Sequence, residues 1–270
     1  MNFDKLMLKT SNKKVMNPMI KCIAIDMDGT LLQPNLTISK QDLKAIVEAN
    51  NKGVDVIINS GRSYASIHFF LEVYQLSISA VSLNGANIHN EKNTLIYNRP
   101  LNERELSLSL QAFSRAHFKI INLLGGALRL VNGPVLPENL TDEYIASFVQ
   151  AYKDNIYKIS ALGRDHALSQ VSAELNEFEL APMDQSIELT APGVNKGTGL
   201  IKYCEEKGIH PDETMAIGDN GNDVSMFHQA GLAVAMGHAD QGIKHEADAV
   251  TKTNTDHGVA CAINKYVLQR

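Results

Sequence analysis

Asp26 and Asp28 stand two residues apart in the stretch Ile20 to Leu32, IKCIAIDMDGTLL, directly after an apolar run. On an extended segment, side chains at this spacing leave on the same side, roughly 6.5 Å apart along the chain. One carboxylate can then attack an electrophile while the other moves protons. Gly29 and Thr30 follow. They allow a tight exit turn and offer a hydroxyl and backbone N–H groups to an incoming oxyanion. Far downstream, Asp219, Asn222 and Asp223 in GDNGND bring further oxygen ligands. Carboxylates gathered this way repel one another unless protons or a cation neutralise them. Hard oxygen donors in a site that also holds phosphate suit Mg²⁺.

A metal among acids leaves a phosphate only partly balanced, so a fixed cation and hydrogen-bond donors are needed. Lys196, Ser60 and Arg62 supply them. Lys196 opens a predicted helix, where the helix dipole gives a cation no reason to be, so its position points to function. The reaction class that uses all of these parts is phosphoryl transfer through an aspartyl-phosphate. Asp26 would be the nucleophile. Asp28 would protonate the leaving oxygen and then take a proton from the hydrolytic water, while Lys196 and Mg²⁺ stabilise the transferring group.

Each part alone has a plainer reading. Asp26-Met-Asp28-Gly could open an EF-hand, but that loop needs an acid or amide at Thr30, glycine at Leu31 and glutamate at Thr37, and fails at all three. Ser60 and Asn84 could be turn residues, Lys196 a solvated surface lysine, and Arg62 the partner of a helix carboxylate. Asp223 could hold Ser60 or Lys196 in place. Of the nine histidines none forms an H-E-x-x-H pair. His238, just after a core strand, is a candidate for touching substrate, ahead of the cap histidines His89, His117 and His166.

The elements that would bring these residues together are short β-branched runs alternating with helical patterns, the mark of βαβ units on a parallel sheet. Ile20 to Ile25 is the first run. Ser39 then caps a helix with Leu43, Ile46 and Val47 on one face and Gly53 past its end. VDVIIN ends at Ser60-Gly61-Arg62, and ISAVSL ends at Asn84-Gly85. The pattern resumes beyond Leu189, with a helix near Lys196 to Lys207 and strands TMAI, LAVAM and DAV. Ligands of open α/β sheets gather beyond the carboxyl ends of the strands, so Asp26, Ser60, Asn84 and Asp219 are expected in one crevice. From 86 to 186 strand pairs mix with helices. NIHN and TLIYN make a hairpin; FKIINLLGG pairs with ALRLVNG; helices run near 102–117, 138–151 and 164–175; and IYKISAL and FELAP are strands. The expected organisation is an α/β fold: residues 20–85 and 187–270 form a Rossmann-like parallel-sheet core, 86–186 an inserted α+β cap, and 1–19 an N-terminal extension.

Across 270 residues, 44% hydrophobic with a net charge of −5, the charges are mixed, which provides a core but no broad basic surface for nucleic acid. No run of about 18 apolar residues predicts a membrane span. The lysine-rich start lacks the apolar segment of a signal peptide. Cys22, Cys204 and Cys261 are few, odd in number and far apart, and read as reduced thiols of a cytoplasmic protein.

Taken in order, DMDGTLL at Asp26, NSGR at Ser60, SLNGA at Ser82, GVNKG around Lys196, GDNGNDVSMF at Gly218 and the tail AVAMGHADQGIKHEADAVTKTNTDHGVA give the chain its resemblance. It resembles a haloacid dehalogenase-superfamily phosphatase of the Cof type, the sugar-phosphate phosphatases with a C2-type (IIB) cap. The resemblance covers Ile20 to the C-terminus. It implies a Rossmann-like core, Mg²⁺ held by the Asp26 carboxylate, the Asp28 backbone carbonyl and Asp219, and metal support from Asn222 and Asp223. It also implies phosphate contacts in the loops holding Ser60, Gly61, Arg62, Asn84 and Gly85, and a cap closing over small phosphorylated metabolites. Ser60 stands where threonine is common, and His238 where asparagine is. The expected activity is hydrolysis of phosphate monoesters. The alternatives are a phosphomutase or phosphotransferase on the same fold, or a non-catalytic metabolite sensor; the latter fits poorly, because Asp26, Asp28, Lys196 and Asp219 are all present.

Overall fold

A computed structural model describes residues 19–125, 130–131, 140–162, 171–183 and 186–270. The first strand, β1 (Cys22–Ile25), is buried on both faces. Ile23 and Ile25 pack into one apolar cluster and Cys22 and Ala24 into another on the opposite side. A strand covered on both faces needs an unbroken apolar run, and each buried isoleucine contributes about 2 kcal/mol. Helix α1 (Lys40–Asn51) follows, with the Ser39 hydroxyl accepting from the Asp42 N–H. Its buried residues are Asp42, Ala45, Ile46 and Ala49. Val47, expected on the buried face, is exposed, because it lies one position beyond the stripe centred on Ile46.

The chain then builds β2 (Asp55–Asn59), α2 (Tyr64–Val73) and β3 (Ser79–Ser82). A 3-10 turn at Leu83–Gly85 leads into β4 (Asn87–His89), and β5 (Leu95–Asn98) completes a hairpin. This hairpin belongs to the first sheet, not to the inserted module. The turn folds β4 straight back onto β3, pairing Ala80 with His89 and Ser82 with Asn87.

Helix α3 (Glu103–Arg115), capped by Asn102 and Glu105, opens the second unit. It continues through β6 (Lys119–Gly125), β7 (Leu130–Val131), α4 (Asp142–Tyr152), β8 (Ile156–Leu162), β9 (Glu179–Met183) and β10 (Ser186–Thr190). Of the helix expected over 164–175, only residues 171–175 fall among those described. Strand β10 pairs with β8 and β9, so this unit runs from about Leu101 to Thr190 rather than over 86–186. Residues 1–18, most of the expected extension, lie outside the described residues.

The remainder returns to the first sheet through α5 (Lys196–Lys207), β11 (Thr214–Gly218), α6 (Val224–Gln229), β12 (Leu232–Ala235), α7 (Gln241–His245), β13 (Ala249–Val250) and α8 (Gly258–Ile263). The eight-stranded sheet has the order β13-β12-β11-β1-β2-β3-β4-β5, parallel from β13 to β3 and antiparallel over the last two pairings. The second sheet, β7-β6-β8-β10-β9, is antiparallel in every pairing. Among the described residues no helix is long and apolar enough to cross a membrane. The order of the first sheet reverses between β1 and β11, which opens a crevice beyond their carboxyl ends.

Candidate active site

Asp26 is the first residue past β1, and Asp219 the first past β11. The two strands run side by side, so the ends of distant segments meet at the crevice. Asp26 is 5% exposed, and its N–H donates to the Ile217 carbonyl at 2.9 Å. Gly29 then turns the chain at a φ of +80°. A Cβ on Gly29 would lie 2.4 Å from Asp219 Oδ2, so only glycine lets the turn pass this close to the carboxylate. The Thr30 hydroxyl, expected to face an oxyanion, donates to Asp219 Oδ1 at 2.5 Å instead.

Lys196 enters from the first residue of α5, capped by Asn195. It is 1% exposed, and its Nζ donates to Asp26 Oδ1 at 2.5 Å and to Asp223 Oδ1 at 2.6 Å. An ammonium at a helix N-terminus is thus held by two carboxylates rather than by water. Asn59, which the sequence reading passed over, is fully buried at the end of β2 and donates to the Lys196 carbonyl at 2.9 Å. Asp223 accepts from the N–H groups of Asp219 and Asn220 at 2.8 and 2.9 Å, so it fixes the loop that carries Asp219. It touches Lys196; the alternative contact with Ser60 is not made among the described hydrogen bonds.

Oxygens of Asp26, Asp219 and Asp223 all lie within 4.8 Å of one another. Burial first, then repulsion from Asp223 and Asp219, raises Asp26 above the ordinary carboxylate range against the pull of Lys196. Asp219 is also raised, chiefly by burial. Burial alone would lower Lys196, but Asp223 and Asp26 outweigh it and hold the ammonium above its ordinary value. Three carboxylates against one ammonium leave excess negative charge, and the donor set is all oxygen. Together with the space that Gly29 keeps clear beside Asp219, this is an environment a divalent cation fits.

The side chain of Asp28, expected to move protons, lies outside this acidic cluster. Its carboxylate is 55% exposed and is gripped by Arg62 through Nε and Nη2, each at 2.6 Å. Arg62, for which a helix carboxylate was the alternative partner, is further held by the Ser66 hydroxyl at 3.1 Å and lies over the Phe70 ring. Ser60 is 1% exposed, and its hydroxyl accepts from the Arg62 N–H at 3.2 Å. Asn84 adopts the left-handed conformation, with φ 54°. Its side chain meets Glu188 at 2.9 Å and Asn222 at 3.4 Å. Gly85 packs against α5, where a Cβ would lie 2.2 Å from the Asn195 carbonyl oxygen. Gly61 places its carbonyl 2.7 Å from Lys158 Nζ.

Lys158 and Glu188, both from the second sheet, were not singled out by sequence. His238 lies 3.9 Å from Asp219 Oδ2, close enough to face the acidic cluster. His89 is in β4, stacked on Tyr64 at 3.5 Å, His117 is exposed after α3, and His166 lies outside the described residues.

The family model of the haloacid dehalogenase-like hydrolases matches residues 23–263. The chain is 34% identical over 252 residues to 5-amino-6-(5-phospho-D-ribitylamino)uracil phosphatase YcsE of Bacillus subtilis, covering 92% of this chain and 96% of that protein. It is 28% identical over 270 residues to pyridoxal phosphate phosphatase YbhA of Escherichia coli, covering 92% and 99%. A solved haloacid dehalogenase-like hydrolase from B. subtilis superimposes with a TM-score of 0.74 at 25% identity, covering 91% of this chain and 99% of that one.

Proposed function

The chain belongs to the haloacid dehalogenase-like hydrolases, and on that premise we propose that it hydrolyses phosphate monoesters of small metabolites, sugar phosphates among them, with Mg²⁺ and through an aspartyl-phosphate on Asp26. One observation carries the reading: Lys196 bridges Asp26 and Asp223, with Asp219 alongside, at the crevice where the sheet order reverses. The substrates in its relatives' names, a ribitylaminouracil phosphate and pyridoxal phosphate, are both monoesters of small organic alcohols.

In this reading an Asp26 carboxylate oxygen attacks phosphorus while the bond to the leaving oxygen breaks, and Asp28 gives that oxygen its proton. Water then attacks the phosphorus of the aspartyl-phosphate as Asp28 takes a proton from it, freeing inorganic phosphate and Asp26. Arg62 orients Asp28 between these steps. Lys196, locked by Asp223, balances the charge that builds on the transferring group. Ser60 and Asn84, just past the ends of β2 and β3, would face the phosphate. Asp26 and Asp219 would hold the metal with the Asp28 backbone carbonyl, and Asp223 and Asn222 would support them. When bound, Mg²⁺ supplies positive charge to the phosphoryl oxygens. The unit from Leu101 to Thr190 would act as a lid that excludes water. Unpaired thiols at Cys22, Cys204 and Cys261 suit a reducing cytoplasm.

Release of inorganic phosphate from p-nitrophenyl phosphate and from a panel of phosphorylated metabolites, with Mg²⁺ and with chelator, tests the proposal. Metal-dependent release from several monoesters is expected, and no release from any of them would contradict it.

A further inference from the structure

The second sheet has an apolar face and a polar face, and the polar one is not in water. Ile159, Ala161, Ile187 and Leu189 are fully buried in the unit's own cluster. At the alternate positions Lys158, Ser160 and Thr190 are 3%, 7% and 3% exposed. Thr190 lies opposite Lys158 and Glu188 opposite Ser160, so all four project from one face. A polar face buried this deeply must find polar partners.

The partners lie in two loops of the other sheet. Lys158 Nζ donates to the Gly61 carbonyl at 2.7 Å and to Glu188 Oε1 at 2.6 Å. The other oxygen of Glu188 accepts from Asn84 Nδ2 at 2.9 Å. Gly61 separates Ser60 from Arg62, and Asn84 follows β3. The same two loops are joined by backbone bonds from Asn84 to Ser60 and from Leu83 to Arg62, at 3.1 and 2.9 Å. Glu188 also decides which way the Asn84 amide faces, since accepting from Nδ2 leaves Oδ1 turned toward Asn222. A lysine at this depth is costly to bury, and burial holds its proton affinity below the ordinary value despite Glu188. A cation so placed, reaching across to a loop of another sheet, needs a reason beyond packing.

We propose that the Lys158–Glu188 pair is a positioning device: by gripping Gly61 and Asn84 it sets the two phosphate-facing loops, so that the phosphate site is complete only with the second sheet docked. The inference rests on the phosphatase reading above and deepens it. Both act through the loops, Lys158 by the Gly61 carbonyl and Glu188 by the Asn84 amide.

The test uses the full chain with Mg²⁺ and reads kcat/KM for p-nitrophenyl phosphate together with the affinity for inorganic phosphate by calorimetry. Lys158→Met should lower kcat/KM and phosphate affinity about tenfold or more, and Lys158→Arg should recover most of both. In Lys158→Met/Glu188→Leu no charge is left unpaired, so thermal stability should return while kcat/KM and phosphate affinity stay low. A double variant with wild-type kcat/KM and phosphate affinity would reduce the pair to a structural pin and overturn the inference. Wild-type protein that binds phosphate without turnover would remove the enzymatic reading alone, leaving calorimetry on the variants to decide this one. Wild-type protein that binds no phosphate would remove both.

Discussion

The Nζ of Lys196 lies 2.5 Å from Oδ1 of Asp26, although 170 residues separate them, and the same ammonium holds Asp223. Removing it strands two buried carboxylates. Lys196→Met should therefore cost about 3–5 kcal/mol of stability at neutral pH, with loss of turnover. Urea unfolding at pH 7 measures the first, and a change below about 1 kcal/mol would mean the carboxylates were already neutral.

The two-point grip of Arg62 on Asp28 is a surface contact, so its removal should leave stability within about 0.5 kcal/mol. Its catalytic effect should be larger. Asp28→Ala should slow both formation and breakdown of the intermediate about 10²–10⁴-fold in single-turnover experiments. Arg62→Ala should lower kcat about tenfold by freeing the Asp28 carboxylate, and Arg62→Lys, which cannot fork, should rescue it only in part. Unchanged single-turnover rates in Asp28→Ala would remove its acid and base role.

Metal binding should be visible without turnover. A cation entering a cluster that has pushed Asp26 and Asp219 upward relieves their repulsion, so Mg²⁺ should raise the melting temperature. Asp219→Asn should raise the Mg²⁺ concentration giving half the effect, and Thr30→Val should do so by about tenfold or more through the lost bond to Asp219. A melting temperature indifferent to Mg²⁺ would contradict the metal assignment.

His89 provides a pH signature away from the site. Burial first, then His68, lowers it from 6.5 to about 4. The unfolded chain takes up this proton as pH falls through 6.5, whereas the folded chain resists until about 4. The stability given by the neutral ring is thus complete above pH 6.5 and is lost as pH falls toward 4. Its Nδ1 is buried without a hydrogen bond, so His89→Phe should keep the stacking on Tyr64 and remove the titration. Melting temperatures of the two proteins should converge or cross below pH 6.5, and parallel curves would rule out this source of acid sensitivity.

The parts that local rules dictate were legible in the sequence. Helix α5 begins at Lys196 because Asn195 caps it and ends where Gly208 takes the left-handed conformation. Strand ends at Asp26, Ser60, Asn84 and Asp219 could be placed in one crevice because a parallel sheet puts them there. What escaped depends on which surfaces dock. The alternation in IYKISAL and SIELT was present, but a polar strand face ordinarily looks to solvent, and only the docked sheet shows Lys158 and Glu188 covered. The hairpin Asn87–Asn98 reads the same whether it edges the first sheet or the second. The partners of Thr30 and Arg62 were equally out of reach, since a hydroxyl or guanidinium finds its acceptor by tertiary placement.

The most direct measurement is mass spectrometry of the peptide carrying Asp26 after mixing enzyme, Mg²⁺ and substrate and quenching in acid within one turnover. The account predicts the added mass of one phosphoryl group on Asp26, with neither adduct nor turnover in Asp26→Asn. Turnover without any adduct on this residue, or an Asp26→Asn variant that turns over like wild type, would contradict it.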